Sequence, residues 1–173
     1  MNVKRILQRS WHLLRPPKLL VWITPELALG PAFSKHRVRL LAKAGIGSVL
    51  DVRSEASDDE AALAEYGLRL LHLPVDDLHA PSQEQLTAAT DWARAEMAAG
   101  RRVYVHCRSG IGRSPCVACT ILMAIGYPLA DAYRAVRHER PWATLTEAQR
   151  EALVEFERRL QENRLAGSEE QRP

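Results

Sequence analysis

Apolar residues recur along this chain in two rhythms. Short runs rich in β-branched and aliphatic residues read as buried strands: residues 48–52, 68–73 and 103–106. Residue 19–24 is a fourth strand candidate, followed by Pro25 and a turn at Gly30-Pro31. Between these runs, apolar positions fall three and four apart, the spacing of a helix with one buried face. Ser34 is placed to cap a helix running to Ala44 and stopping at Gly45. Ser57-Asp58-Asp59 opens a helix that ends at Gly67, with acids at its positive end. Pro74 is expected to stop the strand before it. Ser82-Gln83-Glu84-Gln85 is a capping box that starts a helix ending at Gly100.

The helix after residue 113 is apolar nearly all round (Val117, Ile121, Leu122, Met123, Ile125), so it belongs in the middle of the fold. Gly126-Tyr127-Pro128 ends it, and a helix over residues 129–138 follows. Thr146-x-x-Gln149 is a second capping box, opening a last helix to about Asn163. Strands alternating with helices predict an α/β domain. Its central sheet would be mostly parallel, of four to five strands, with flanking helices. The expected division is an amphipathic arm over residues 1–22, the domain over 23–163 and a disordered tail over 164–173.

The chemistry concentrates at Val103-Tyr-Val-His-Cys-Arg-Ser-Gly-Ile-Gly-Arg-Ser-Pro115. A strand leads into a glycine-bearing loop, and the loop into a helix. Gly110 and Gly112 let the backbone curl so that successive N–H groups of residues 108–113 face one concavity. The helix N-terminus adds positive potential, and Arg113 adds a planar fork for two oxygens of a phosphate. Cys107 then sits on the floor of an anion cradle whose field favours a thiolate.

The His106-Cys107-x5-Arg113-Ser114 pattern resembles the signature of the protein tyrosine phosphatase superfamily. Its small size and Arg113-Ser114-Pro115 are most similar to the dual-specificity branch. The resemblance spans roughly residues 23–160. It is sharp at 103–115, fair at 73–82, and a matter of pattern elsewhere. It implies a cysteine-dependent phosphatase acting through a phosphocysteine. Cys107 would be the nucleophile. Arg108, Ser109, Gly110, Ile111, Gly112 and Arg113 would hold the phosphate. Ser114 would hydrogen-bond the sulfur, besides capping its helix. His106 would order the loop from behind. No cofactor and no metal is called for.

The leaving oxygen needs a proton, which a thiolate cannot supply. Leu73-Pro-Val-Asp-Asp-Leu-His-Ala-Pro-Ser82 resembles the family's general-acid loop. Asp76 and Asp77 compete for the role, and the register before Pro81-Ser82 favours Asp77. Gln149 could approach the site, as a glutamine does in classical tyrosine phosphatases, but its capping role is the stronger reading. Cys116 and Cys119 form a C-x-x-C inside a helix, which reads as core packing; a zinc half-site or a redox partner for Cys107 are weaker alternatives.

Two other classes compete. Val49-Leu-Asp-Val-Arg-Ser-Glu55 ahead of Tyr104-x-x-Cys-Arg-Ser-Gly110 is similar to a single-domain rhodanese, with its D-V-R element ahead of a C-R-S-G loop. The C-x5-R spacing, one residue longer than the usual sulfurtransferase loop, argues against it. A catalytically idle phosphate-binding module has no positive support, since Cys107, Arg113 and an acid are all present. Among phosphatases, a loop whose one further basic residue is Arg108 leans towards phosphotyrosine, phosphoserine or phosphothreonine on proteins. A phospholipid or phosphoinositide is the alternative substrate.

Composition narrows the setting. With 173 residues, 46% of them hydrophobic, the chain suits one compact domain. A net charge of +3 suits an anionic substrate and falls well short of a nucleic-acid binder. Three cysteines, one the nucleophile, argue against a disulfide framework and for a cytoplasmic monomer in a reducing compartment. Val3, Ile6, Leu7, Trp11 and Leu14 share a helix face, with Lys4, Arg5, Arg9 and His12 mainly elsewhere. Residues 1–15 thus read as a packing arm or as a peripheral contact with the inner face of an anionic membrane.

Overall fold

A computed structural model describes residues 20–169. The amphipathic segment 1–15 and residues 170–173 lie outside the described residues. Five strands form one sheet: β1 (Val21–Trp22), β2 (Leu27–Pro31), β3 (Ile46–Arg53), β4 (Arg69–Val75) and β5 (Arg102–Cys107), in the order β1-β2-β5-β3-β4. β1 is antiparallel to β2, and the other three pairings are parallel. The helices are α1 (Val38–Lys43), α2 (Glu60–Ala64), α3 (Gln83–Ala98), α4 (Arg113–Ala124), α5 (Leu129–Glu139) and α6 (Glu147–Glu169). A short 3-10 turn over Lys35–Arg37 precedes α1. The expected α/β domain with a mostly parallel sheet is what the chain forms.

Alternation along the strands builds two cores. Leu27, Leu29, Leu50, Val52, Val103 and Val105 point to one side, against Leu86 and Ala89 of α3 and Val117 and Ile121 of α4. Ala28, Val49 and Tyr104 point to the other, against Val38, Leu41 and Leu63. Every residue from Arg113 to Met123 is buried, so α4 is the central helix its all-round apolar surface predicts. Glu96 is a buried acid on the last turn of α3. It accepts from Ser48 Oγ at 2.6 Å and pairs with Arg69 at 2.7 Å and with Arg101, fastening α3 to the sheet.

Several local expectations change. The stretch expected to be a turn at Gly30-Pro31 is β2, an interior strand paired with β5. Its run is short and bracketed by prolines, and only tertiary pairing makes it a strand. Ser34 stands at the expected N-terminus, but its side chain makes no capping bond and a 3-10 turn comes first. Pro74 does not stop β4, which runs through it to Val75. A proline is tolerated because β4 is an edge strand, with no strand on its outer side among the described residues. α6 continues past Asn163 to Glu169, into the stretch expected to be a disordered tail. Ion pairs of Arg158 with Glu155 and Glu162, one helical turn apart, support its exposed surface.

Parallel pairing brings the carboxyl ends of three strands to one level. Gly30 pairs with His106, Pro31 with Cys107 and Asp51 with His106. The segments that follow β2, β3, β4 and β5 therefore meet above one edge, where open α/β sheets hold ligands. Leu50 is fully buried in β3 beneath this edge. Leu50→Ala should cost about 2–5 kcal/mol of stability, read as a shift in the urea midpoint with an unchanged slope.

Candidate active site

β5 delivers Cys107 to the sheet edge, and α4 begins six residues later at Arg113, so residues 108–112 must turn sharply. Gly110 does this at a φ of +67°, a left-handed conformation that favours glycine. A Cβ there would lie 2.5 Å from the carbonyl oxygen of Gly30 and 2.7 Å from Arg140. The loop is thus pressed between β2 and a buried guanidinium. Arg140 donates from Nε to the Gly110 carbonyl and from Nη2 to the Ser109 carbonyl at 2.7 Å. Ala32 N–H donates to the Arg108 carbonyl at 3.1 Å, and Thr144 N–H to the Ile111 carbonyl at 2.8 Å. With its carbonyls fixed outward, the loop is free to turn N–H groups inward.

The Cys107 sulfur is buried and accepts two hydrogen bonds, each 3.2 Å long, from the Gly110 N–H and the Ser114 hydroxyl. The side chains of Arg108, Ser109 and Ile111 are exposed at the rim.

Arg113 is 1% exposed. Glu55, just past β3, grips it with both oxygens, Nη1 to Oε2 at 2.7 Å and Nη2 to Oε1 at 2.8 Å. Nη1 also donates to the Val75 carbonyl at 2.8 Å. The hydrogen bonds from Arg113 hold the Glu55 carboxyl down at about 2, and Glu55 in turn raises Arg113. The Arg113 Nε–H is buried and has no acceptor among the described residues. An oxyanion in the cradle would satisfy it.

Asp77 reaches this group from the loop after β4, with Oδ1 3.2 Å from Arg113 Nη2, while its side chain stays 61% exposed. The Asp76 carbonyl closes the turn, accepting the His79 N–H at 3.1 Å. The residue after Asp77, Leu78, is left-handed at φ 66° and its side chain is exposed. Asp77 is therefore the one of the two carboxylates that meets Arg113.

His106 lies behind Cys107, fully buried. Its Nε2 shares a hydrogen bond with Asp58 Oδ2 at 2.8 Å. Tyr104 stacks on the ring at 5.5 Å between centroids, and Phe33 meets it edge-on at 5.2 Å. Arg53 links Asp58 to Asp51, with bonds of 2.6 Å and 2.7 Å from Nη2. Asp51, Asp58 and His106 are close enough together to share a cation. Arg53 already bridges the two carboxylates and His106 bonds one of them, so this is an ion-pair network bracing the loop.

Burial pushes the Cys116 thiol up to about 12 and Cys119 in the same direction, in keeping with core packing. Gln149 caps α6 and also lies beside the cradle, 3.2 Å from where a Cβ on Gly112 would stand. Glu55, Asp58 and Arg140 were not singled out as site residues from the sequence. Asp58 stood only at the start of a helix. Each is joined to the loop by tertiary contact alone, 30 to 58 positions away in the chain.

A family described as Tc-R-P, the DSP-PTPase phosphatase of polymorphic toxin systems, matches residues 30–127. Human dual specificity phosphatase 28 is 30% identical over 147 residues, 84% of this chain and 81% of that protein. The chain belongs to the dual-specificity phosphatase family. Within the family, phosphatidylglycerophosphate phosphatase PTPMT2 of Arabidopsis thaliana is 31% identical over 140 residues, 79% of this chain. The chain spans 61% of that relative and 31% of human dual specificity protein phosphatase 5. The active form of Tk-PTP has a similar fold, with a TM-score of 0.77 and 30% identity over 82% of this chain and 98% of the other.

A carboxylate whose folded pKa is depressed supports the fold above its ordinary value of 4.5, and that support fades as pH falls through about 2. Glu55 is therefore charged across any working pH. Glu55→Gln should lower turnover by roughly ten- to a hundredfold, on the scale of loosening one oxyanion donor. It should leave the acid limb of the pH–rate profile where it is. A displaced acid limb would show that Glu55 titrates in the working range.

Proposed function

We propose that this chain is a cysteine-dependent phosphoric monoester hydrolase of the dual-specificity type. The observation that carries it is the pairing of a doubly hydrogen-bonded Cys107 sulfur with a buried Arg113 whose Nε–H has no acceptor. A tetrahedral oxyanion would supply that missing acceptor, and backbone N–H groups of the loop would add to its hold.

In the first step the Cys107 thiolate attacks phosphorus. An S–P bond forms, the P–O bond to the leaving group breaks, and Asp77 gives its proton to the leaving oxygen. In the second step water attacks phosphorus and gives a proton to the Asp77 carboxylate. The S–P bond breaks and the thiolate leaves. The Ser114 hydroxyl and Gly110 N–H lie at the sulfur to stabilise it as a leaving group. The Arg113 Nε–H holds a phosphoryl oxygen throughout.

The substrate we favour is a phosphorylated side chain of a protein. The rim presents Ile111 and Leu78 as exposed apolar side chains, and Arg108 is the one basic residue of the loop between Cys107 and Arg113. That surface suits the body of an amino-acid side chain better than a polyanionic head group. A second reading, a phospholipid monoester, is favoured by the 31% identity to a phosphatidylglycerophosphate phosphatase over 79% of the chain. Turnover of phosphotyrosine and phosphoserine peptides, set beside phosphatidylglycerophosphate and phosphoinositides in mixed micelles, separates the two. A kcat/KM for lipid at least tenfold above every peptide would overturn the protein reading.

Cys107→Ser should abolish turnover yet still bind vanadate, because the amide cradle and Arg113 remain. Wild-type activity in that variant would sink the mechanism. Asp77→Asn should slow a phenyl phosphate by about 10²-fold or more and an activated aryl phosphate much less, since a good leaving group hardly needs the proton. Asp76→Asn should do neither. The opposite pattern would move the acid to Asp76.

A further inference from the structure

Two capping glutamines make one clamp. Gln85 is the third residue of α3, and Gln149 the third of α6. Each closes a capping box in the usual way. Gln85 Oε1 accepts the Ser82 N–H at 2.9 Å, and Ser82 Oγ accepts the Gln85 N–H at 3.2 Å. Gln149 Oε1 accepts the Thr146 N–H at 3.1 Å, and Thr146 Oγ1 accepts the Gln149 N–H at 3.3 Å. That uses the oxygen of each side-chain amide and leaves its NH2 group.

Both NH2 groups go to the same loop. Gln85 Nε2 donates to the Pro74 carbonyl at 2.8 Å, and Gln149 Nε2 donates to the His79 carbonyl at 2.9 Å. These carbonyls stand at the two ends of the turn that carries Asp77. Between them, the Val75 carbonyl accepts from Arg113. The amide orientation is dictated on both sides. A flipped amide would set NH2 against a backbone N–H and oxygen against a carbonyl.

We propose that Gln85 and Gln149 are positioning residues that seat the general-acid loop over the cradle. This rests on the reading of Asp77 as the acid. A capping box alone is served by Glu as well as by Gln, and the positive end of a helix favours the charged residue. A carboxylate accepts only, however, and cannot hold a carbonyl. Glutamine is the side chain that caps and tethers together, and it stands at both places. The clamp also explains how a turn with left-handed Leu78 keeps one shape, so that Asp77 meets Arg113.

The test uses the full chain. Gln85→Glu keeps the cap and removes the tether. Gln149→Met removes the tether without placing a charge beside Gly112. Thr146→Ala weakens the α6 cap but keeps the tether. Deuterium exchange over residues 75–80 should quicken by about tenfold or more in both glutamine variants, while Thr146→Ala stays near wild type. The melting temperature of Gln85→Glu should be unchanged or raised. Both glutamine variants should slow phenyl phosphate by ~10-fold, leave an activated aryl phosphate within about twofold, and flatten the alkaline limb of the pH–rate profile. Wild-type loop exchange in both glutamine variants, or equal slowing of the two substrates, overturns the proposal. A wild type that hydrolyses neither aryl phosphate overturns the phosphatase reading instead, and exchange alone then decides the clamp.

Discussion

A guanidinium cannot shed its proton, so burying one forces the protein to surround it. Arg113 sits at the first turn of the central helix with almost no exposure. Its partners come from two separate segments: Glu55 after β3, and Val75 and Asp77 at the end of β4. Removing any one would leave a buried charge short of a partner, which costs far more than a surface contact is worth. The loops after β3 and β4 are thus held in place by the need of one side chain on a third element.

The same constraint recurs around Cys107 with a different balance. Arg53 is neutralised by Asp51 and Asp58, and Arg113 by Glu55. Among the described residues, Arg140 is paired with backbone carbonyls, those of Ser109 and Gly110. Its burial lowers its proton affinity, but no carboxylate cancels its charge among the bonds it makes. Arg113 and Arg140 both act electrostatically on Cys107, and the α4 N-terminus adds to them.

Much of this was legible in the chain, for identifiable reasons. The capping boxes at Ser82 and Thr146 are local, and both form as written. The all-apolar α4 announces its own burial. The spacing of Cys107 and Arg113 carries the cradle because loop and helix start are contiguous. What was not legible depends on distant partners. β2 has too few residues between Pro25 and Pro31 to show a period, and it exists because β5 pairs with it. Glu55, Asp58 and Arg140 carry no local mark of their roles. The second job of Gln85 and Gln149 is hidden because the capping pattern already accounted for both.

The sheet's margins have a bearing on how the domain behaves in a crowded solution. One edge is β1, two residues long. The other is β4, where Pro74 offers no N–H and exposed Arg69 stands at the start. Exposed strand edges invite pairing with other chains, and short edges, prolines and charges are the features that discourage it. The proline that looked like a strand terminator thus acts as a guard against edge-to-edge aggregation. Its carbonyl, held by Gln85, is at the same time the first anchor of the loop that carries Asp77.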